Sequence, residues 1–175
     1  RGQLAWGDNY NIYGKTLGVL FQLEITYKDG STSTVISDGS WSSSTGEIRY
    51  AEIYNGETID HRMTKSGWTE PGYQEEDWTP VKVVNDGYDN LVTTQNELVE
   101  QHESFKPVKV ITTPRGEKVL DFGQNLVGWV NVKLKGRRGD TVRIFHAEVL
   151  DKAGNFYTTN LRKARAEDQY ILSGN

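Results

Sequence analysis

The chain of 175 residues contains no cysteine, one methionine and only four prolines. The absence of cysteine excludes several classes of site. Without thiols it can form no disulfide, no cysteine nucleophile and no thiolate metal site. No apolar run approaches the roughly 20 residues that a membrane-spanning helix needs. Basic residues are in the minority, with 20 Lys and Arg against 24 Asp and Glu. We therefore expect no membrane and no nucleic-acid partner, because phosphate binding requires a basic surface.

Glycine and aromatic residues are abundant, with 18 Gly, 5 Trp and 9 Tyr. Between positions 17 and 27 apolar residues alternate with small or polar ones, which is the period of a half-buried strand. A turn at Lys28-Asp-Gly-Ser31 and a return strand at 34–38 complete a predicted hairpin. Further strands are predicted at 49–54, 108–112, 118–122, 127–134, 141–148 and 168–172. Many short strands with Gly-rich turns predict an all-β protein of β-sandwich or jelly-roll-like type, with few or no helices.

A polar stretch over residues 85–104 separates two groups of predicted strands. We interpret it as a linker or connecting loop between two small sandwich modules, at residues 1–84 and 105–175. The chain opens abruptly at Arg1 and stops abruptly at Asn175, so we expect both modules to be partial. A partial sandwich exposes a sheet edge, and an uncovered edge strand invites self-association with a second copy.

Two groups of residues in the first module are candidates for carbohydrate binding. Trp68 and Tyr73 lie in a long loop, where exposed rings would stack on a sugar. The alternative is that the Trp rings cover the open end of a sandwich. Glu57, Asp60 and Arg62 bring both signs of charge to one predicted strand end, with a structural ion pair as the alternative.

The last third of the chain supplies a further set of planar polar side chains, which suit sugar hydroxyls. These candidates for carbohydrate or interdomain contacts are Asp121, Gln124, Asn125, Asn160 and Arg162. A neighbouring domain would also provide the partners that buried groups of this kind need.

Metal and catalytic motifs are few. None of the three His has a partner at metal-ligand spacing, and no cofactor is required. The oxygen-rich cluster of Asp8, Asn9 and Asn11 supplies the candidate calcium ligands. The string Asp151-Lys-Ala-Gly-Asn155 lacks the closing Glu of a calcium loop, so we predict a hairpin turn there.

Several strings occur in order along nearly the whole chain. They are Gln22-Leu-Glu-Ile-Thr-Tyr-Lys-Asp-Gly-Ser31, Ser37-Asp-Gly-Ser-Trp-Ser-Ser-Ser-Thr-Gly46, Ile53-Tyr-Asn-Gly-Glu-Thr-Ile-Asp-His-Arg62, Gly67-Trp68, Asp77-Trp-Thr-Pro-Val81, Asp121-Phe-Gly-Gln-Asn125, Gly128-Trp129, His146-Ala-Glu-Val-Leu-Asp151, Asn160-Leu-Arg162 and Asp168-Gln-Tyr170. Together they resemble the N-terminal β-sandwich domains of the bacterial α-L-rhamnosidases of glycoside hydrolase family 78. The string that begins at Ile53 is similar to the family's Tyr-x-Gly-Glu-x-x-Asp-Ala-Arg motif, with His61 in place of the usual Ala.

The resemblance implies a parent enzyme that hydrolyses terminal α-L-rhamnosyl residues of glycosides or polysaccharides with inversion. In that family the catalytic glutamates lie on an (α/α)6 domain further towards the C-terminus. No catalytic residue is therefore assigned here, and the chain alone is expected to be inactive. The expected partners are L-rhamnose-containing glycans and the catalytic domain of the same polypeptide, and we favour a periplasmic or secreted location over a cytoplasmic one.

Two alternatives stay open beside this accessory-domain interpretation. The chain could be a carbohydrate-binding module for L-rhamnose, since some related rhamnosidases bind rhamnose through calcium in a β-sandwich. It could also be an unrelated sandwich that serves as an adhesion or scaffold module.

Overall fold

The computed structural model describes residues 9–12, 14–85 and 87–174, and most of their regular structure is extended. The strands are β1 (Gln22–Thr26), β2 (Thr32–Ile36), β3 (Ser42–Ser43), β4 (Ile48–Glu52), β5 (Gly56–Asp60), β6 (Thr79–Pro80), β7 (Lys109–Thr112), β8 (Lys118–Asp121), β9 (Thr141–Phe145), β10 (Val149–Leu150), β11 (Phe156–Tyr157) and β12 (Glu167–Ile171). Across these residues the helical elements are two 3-10 turns, His61–Met63 and Thr159–Leu161. The all-β prediction is confirmed. No helix in the described ranges is long and apolar enough to span a bilayer.

The strands belong to two compact units, neither of which is continuous in sequence. The first unit holds residues 47–64 and 94–174, and the second holds residues 9–46 and 65–93. Strands from both sides of the polar stretch at 85–104 therefore share the first unit. The module boundaries at residues 84 and 105 remain a prediction from the sequence.

In the second unit, β1 and β2 form the antiparallel hairpin that the alternating sequence predicts. Its turn closes with a 2.9 Å hydrogen bond from the Tyr27 N–H to the Ser31 carbonyl. The Asp29 carboxylate accepts from the Ser31 N–H, and Gly30 takes the left-handed φ of 84° that such a turn requires. A short antiparallel pair, β3 with β6, completes the regular structure described in this unit.

The first unit is built on a four-stranded sheet in the order β4-β5-β12-β9. Its two central strands, β5 and β12, run parallel, with Thr58 opposite Gln169 and Ile59 opposite Tyr170. The outer strands pair antiparallel with them. Two hairpins, β7–β8 and β10–β11, belong to the same unit.

The hairpin predicted at Asp151 joins β10 to β11. Asp151 Oδ1 accepts from the N–H groups of Ala153 and Asn155, at 2.9 and 2.8 Å. These bonds lower the pKa of Asp151, since a carboxylate that accepts N–H donors stays ionised. A second carboxylate, Glu117, accepts from the Phe156 N–H at 3.2 Å and so joins the two hairpins of the unit.

One predicted strand is wrong. Residues 127–134 alternate apolar and polar side chains, yet they form no strand. Strand structure requires ladder hydrogen bonds to a neighbour as well as a suitable sequence. No such neighbour lies beside this segment among the described residues.

Gly56, at the start of β5, lies very close to β12. Its φ is 87°, and a Cβ there would lie 2.7 Å from the carbonyl carbon of Glu167 and 2.8 Å from Oδ1 of Asp168. Backbone bonds flank this point, from the Ala166 N–H to the Tyr54 carbonyl at 3.1 Å and from the Glu167 N–H to the Asn55 carbonyl at 3.1 Å. A side chain at position 56 would therefore separate β5 from β12.

Replacing Gly56 with Ala should lower the free energy of unfolding by about 2–5 kcal/mol, because a left-handed φ and an overpacked Cβ each carry a cost. Gly116→Ala is the matched control, since Gly116 has a φ of 86° and open space around its missing Cβ. That variant should lose about 1–2 kcal/mol. Urea denaturation measures both, and equal losses would contradict the steric argument.

Candidate functional site

The predicted site residue Glu57 lies in a polar network that joins β5, β12 and His146, the residue that follows β9. The Tyr170 hydroxyl donates to Glu57 Oε1 at 3.1 Å, and the Glu57 N–H donates to Asp168 Oδ1 at 3.1 Å. The other carboxylate oxygen of Asp168 lies 2.8 Å from His146 Nε2. Burial and the bond to Glu57 raise the pKa of Tyr170 to about 12, so this phenol stays a donor at ordinary pH.

Asp60 and Arg62, predicted together, form a bidentate ion pair at the end of β5. The Arg62 Nε and Nη2 atoms lie 2.8 and 2.7 Å from the two carboxylate oxygens. Asp60 is buried, and it also accepts from the Arg62 N–H at the start of the 3-10 turn. The hydrogen bonds from Arg62 lower the pKa of Asp60 to about 2. The structural ion pair that was the alternative interpretation is thus what these two residues form.

A groove of about 420 Å³ lies beside this network in the first unit. The His61 and Tyr170 rings stack on one side, with centroids 6.4 Å apart and planes 13° apart. Trp129, which is 69% exposed, lines the groove as well. His61 also contacts Glu47, with Nδ1 3.5 Å from Oε2.

The polar residues of the last third do not converge on one point. Asp121, at the end of β8, accepts from the Gly123 N–H at 2.7 Å and pairs with Lys109 at 3.3 Å. The Gly123 bond is the largest cause of the lowered pKa of Asp121. Gln124 and Asn125 follow on an exposed segment.

The other predicted pair lies at the second 3-10 turn. Asn160 Nδ2 donates to Glu148 at 3.3 Å. Arg162 ends that turn with a φ of 58°, and its N–H donates to the Thr159 carbonyl. Both side chains are exposed.

The predicted aromatic residues of the second unit do come together. Trp68 and Tyr73 both pack against Trp78, with ring centroids 6.3 and 6.2 Å from it. Trp68 remains 58% exposed. The indole Nε1 of Trp78 is buried and has no hydrogen-bond partner within the described part of the chain. The three packed rings thus form a small core for this loop, and the exposed part of Trp68 forms an aromatic surface.

The candidate calcium ligands are placed in part. Asn9 and Asn11 are exposed, and Asn11 has a φ of 58°. Asp8 lies outside the described residues. In the described ranges, no three His, Asp or Glu side chains are grouped so as to hold a metal ion.

Sequence reasoning missed three members of the network around Glu57, namely Asp168, Tyr170 and His146. A signal for them was present, because Asp168-Gln-Tyr170 is one of the ordered strings. What was absent was any local indication that this string pairs with β5, since Glu57 and Asp168 are 111 residues apart. The carboxylates of this network accept hydrogen bonds from neighbouring groups of the chain. Their role in this arrangement is therefore structural.

Two family models match successive parts of the chain. The model described as the alpha-L-rhamnosidase N-terminal domain matches residues 1–103. The model described as the bacterial alpha-L-rhamnosidase concanavalin-like domain matches residues 111–175.

Curated relatives and solved structures agree with these matches. An alpha-L-rhamnosidase of Streptomyces avermitilis is 38% identical over 93% of this chain and 16% of its own length, and one of Formosa agariphila is 33% identical over 98% and 19%. The crystal structure of native α-L-rhamnosidase from Aspergillus terreus matches with a TM-score of 0.90 at 39% identity, covering 99% of this chain and 20% of its own. The Streptomyces avermitilis enzyme complexed with L-rhamnose matches with a TM-score of 0.78 at 39% identity, covering 89% and 15%. The chain thus spans a fifth or less of these relatives.

Asp60 should make the free energy of unfolding of the chain fall as the pH becomes acidic. Its pKa is about 2 in the folded state against an ordinary value of 3.8, so its contribution is complete above about pH 4 and is lost as the pH falls towards 2. Chemical denaturation across this range should show a weaker pH dependence for Asp60→Asn than for the unaltered chain. Asp77→Asn is the control, because that side chain is 83% exposed. Identical profiles for Asp60→Asn and the unaltered chain would contradict the assignment.

Proposed function

Because this chain belongs to the bacterial α-L-rhamnosidase family, we propose that it is a non-catalytic accessory part of such an enzyme. The parent enzyme hydrolyses terminal α-L-rhamnosyl residues of glycosides or polysaccharides. Residues outside 1–175 carry the chemistry, with one acid and one base acting on opposite faces of the sugar and inverting the anomeric carbon.

The observation that supports this proposal is that the carboxylates of Glu57, Asp60 and Asp168 form structural contacts within the chain. Inverting hydrolysis needs one protonated and one ionised carboxyl group, about 6.5–9.5 Å apart, with room for a water. Asp60 is instead held ionised by Arg62, with a pKa of about 2, so it is a poor general acid. Glu57 and Asp168 accept hydrogen bonds from the sheet itself. These residues therefore support the strands and leave the reaction to another domain.

The purified 175-residue chain is expected to show no turnover of a chromogenic α-L-rhamnoside. The physical reason is that the carboxylates of Glu57, Asp60 and Asp168 already form structural contacts. Glu57→Gln serves as the control for contamination, because a trace of co-purified enzyme would be unaffected by it. Turnover by the chain that Glu57→Gln abolishes would overturn the proposal.

A second candidate function is favoured by the aromatic cluster of the second unit. Trp68 presents an exposed ring beside the Trp78 indole, whose buried N–H has no partner within the described residues. An exposed aromatic face suits stacking against the apolar face of a pyranose ring. The alternative is thus a carbohydrate-binding module for L-rhamnose, with calcium as its candidate cofactor.

Calorimetric titration with L-rhamnose, with and without calcium, tests this alternative. If the aromatic cluster binds the sugar, Trp68→Ala should weaken binding by about two- to tenfold, since stacked aromatic contacts contribute roughly 0.5–1.5 kcal/mol. Trp129→Ala is the matched control, being an exposed Trp in the first unit, at 69% against 58% for Trp68. Calcium-dependent affinity would support the candidate ligands Asn9 and Asn11, whereas no heat in either condition would exclude the binding module.

A further inference from the structure

Residues 133–138 carry a concentrated run of positive charge. Four cations, Lys133, Lys135, Arg137 and Arg138, lie within six positions with no acid between them, and no other six-residue stretch of the sequence holds as many. All four are exposed. The chain as a whole has a net charge of -4, so this run opposes its overall charge balance. Like charges close together repel one another, and an anion bound among them would remove that cost.

The turn that carries the two arginines is held in one backbone conformation. The Asp140 N–H donates to the Arg137 carbonyl at 3.0 Å, and Asp140 Oδ2 accepts from the Arg137 N–H at 2.8 Å. The Gly139 N–H donates to the Leu172 carbonyl at 2.9 Å, and the Leu172 N–H donates to the Asp140 carbonyl at 2.8 Å. The turn is therefore fastened beside the end of β12, and a ligand would not have to order it on binding.

The guanidinium groups on this turn keep most of their hydrogen-bonding capacity. The Arg137 side chain is 93% exposed, and its Nε lies 3.7 Å from Asp140 Oδ2, which is too far for a hydrogen bond. Arg138 donates from Nη1 to the Ser173 carbonyl at 3.4 Å. Because each guanidinium has five N–H donors, nearly all of them remain available to a ligand.

A third guanidinium, that of Arg62, borders the same turn. Its Nη1 lies 3.8 Å from the point that a Cβ on Gly139 would occupy. Nε and Nη2 of Arg62 bind Asp60, whereas Nη1 donates to no acceptor in the described part of the chain. Arg62, Arg137 and Arg138 thus form an arginine cluster on and beside one tight turn.

The chemistry of this arginine cluster selects oxyanions. Two parallel N–H donors of a guanidinium match two oxygens of one carboxylate or sulfate. A nucleic acid fits less well, because a duplex carries one negative charge per about 1.7 Å and its binding requires many cations over a wide surface. The acidic charge balance of this chain does not supply such a surface. An acidic glycan carries its anions singly on separate sugar residues, so one turn is enough for one anion.

We propose that the arginine cluster binds the anionic groups of an acidic polysaccharide, which are the carboxylate of a uronic acid or a sulfate ester. This inference rests on the proposed function, since the polysaccharide that the parent enzyme acts on would carry these groups. The substrate class is then an acidic polysaccharide that contains L-rhamnose. Anions repeated along one polymer increase its retention, because release from one contact leaves others at high effective concentration.

Affinity electrophoresis of the 175-residue chain tests the proposal with three polymers in the gel: polygalacturonate, dextran sulfate and neutral dextran. One or both acidic polymers should retard the chain, and dextran should not. Retardation by polygalacturonate alone identifies a uronate as the ligand, and retardation by dextran sulfate alone identifies a sulfate ester. Raising the ionic strength to about 1 M should abolish the retardation, since the Debye length is then about 3 Å.

A double variant, Arg137→Gln with Arg138→Gln, should weaken binding about tenfold or more, because charge-assisted hydrogen bonds from two groups are lost. The matched control is Arg115→Gln with Lys152→Gln, which removes the same charge from two exposed cations of the same unit. Arg115 interacts electrostatically with the carboxylates of the chain itself, so it is less available to a ligand. The control should keep the affinity of the unaltered chain.

A conservative pair keeps the test decisive if the glutamine variant folds poorly. Arg137→Lys with Arg138→Lys retains both charges but loses the planar fork that binds two oxygens at once. Its affinity for the acidic polymer should lie between those of the unaltered chain and the glutamine pair. Thermal melting of each variant shows whether the fold is kept.

Three results contradict the proposal. No retardation by either acidic polymer means that the cluster binds no glycan anion. Equal losses of affinity in the glutamine pair and in its control mean that only net charge matters. Tighter binding of an oligonucleotide than of either acidic polysaccharide assigns the cluster to nucleic acid. Turnover of a chromogenic α-L-rhamnoside by the parent enzyme is measured separately, so a failure of the proposed function is distinguishable from a failure of glycan binding by the chain.

Discussion

The close parallel approach of β5 and β12 at Gly56 is the contact on which the rest of the first unit depends. Because position 56 carries no side chain, the backbone of Glu167 can lie against it. That approach brings Asp168 within reach of the Glu57 N–H and Tyr170 within reach of the Glu57 carboxylate. The sheet and its polar network therefore share one steric condition at Gly56.

Hydrogen bonds within the first unit also explain why residues typical of sugar binding occur in a chain that we assign to support. Asp60, Asp151 and Asp121 all have lowered pKa values, and in each case hydrogen-bond donors within the unit are the largest cause. Carboxylates held in this way are ionised and already bonded, which suits turn and strand ends better than proton transfer. The alternative proposal of glycan binding rests on a different feature, the exposed Trp68 ring.

Local features were predictable from the sequence, and distant pairings were not. The hairpin β1–β2 follows from an alternating pattern and a Gly30 turn, and the β10–β11 turn follows from its Asp-Gly-Asn spacing. The parallel pairing of β5 with β12 joins segments that no local pattern connects, so Asp168 and Tyr170 were not recognised as partners of Glu57. Residues 127–134 show the opposite case, since a strand-like sequence alone does not supply a neighbour to pair with.

The sequence distance between the two central strands bears on how the protein is made. Glu57 and Asp168 are 111 residues apart, so at about 5–20 residues per second β5 leaves the ribosome roughly 6–22 seconds before its partner does. During that interval the β4–β5 hairpin has an unpaired edge along β5, on the side away from β4. An unpaired strand edge favours aggregation, so the edge that later receives β12 carries that risk until β12 has been made.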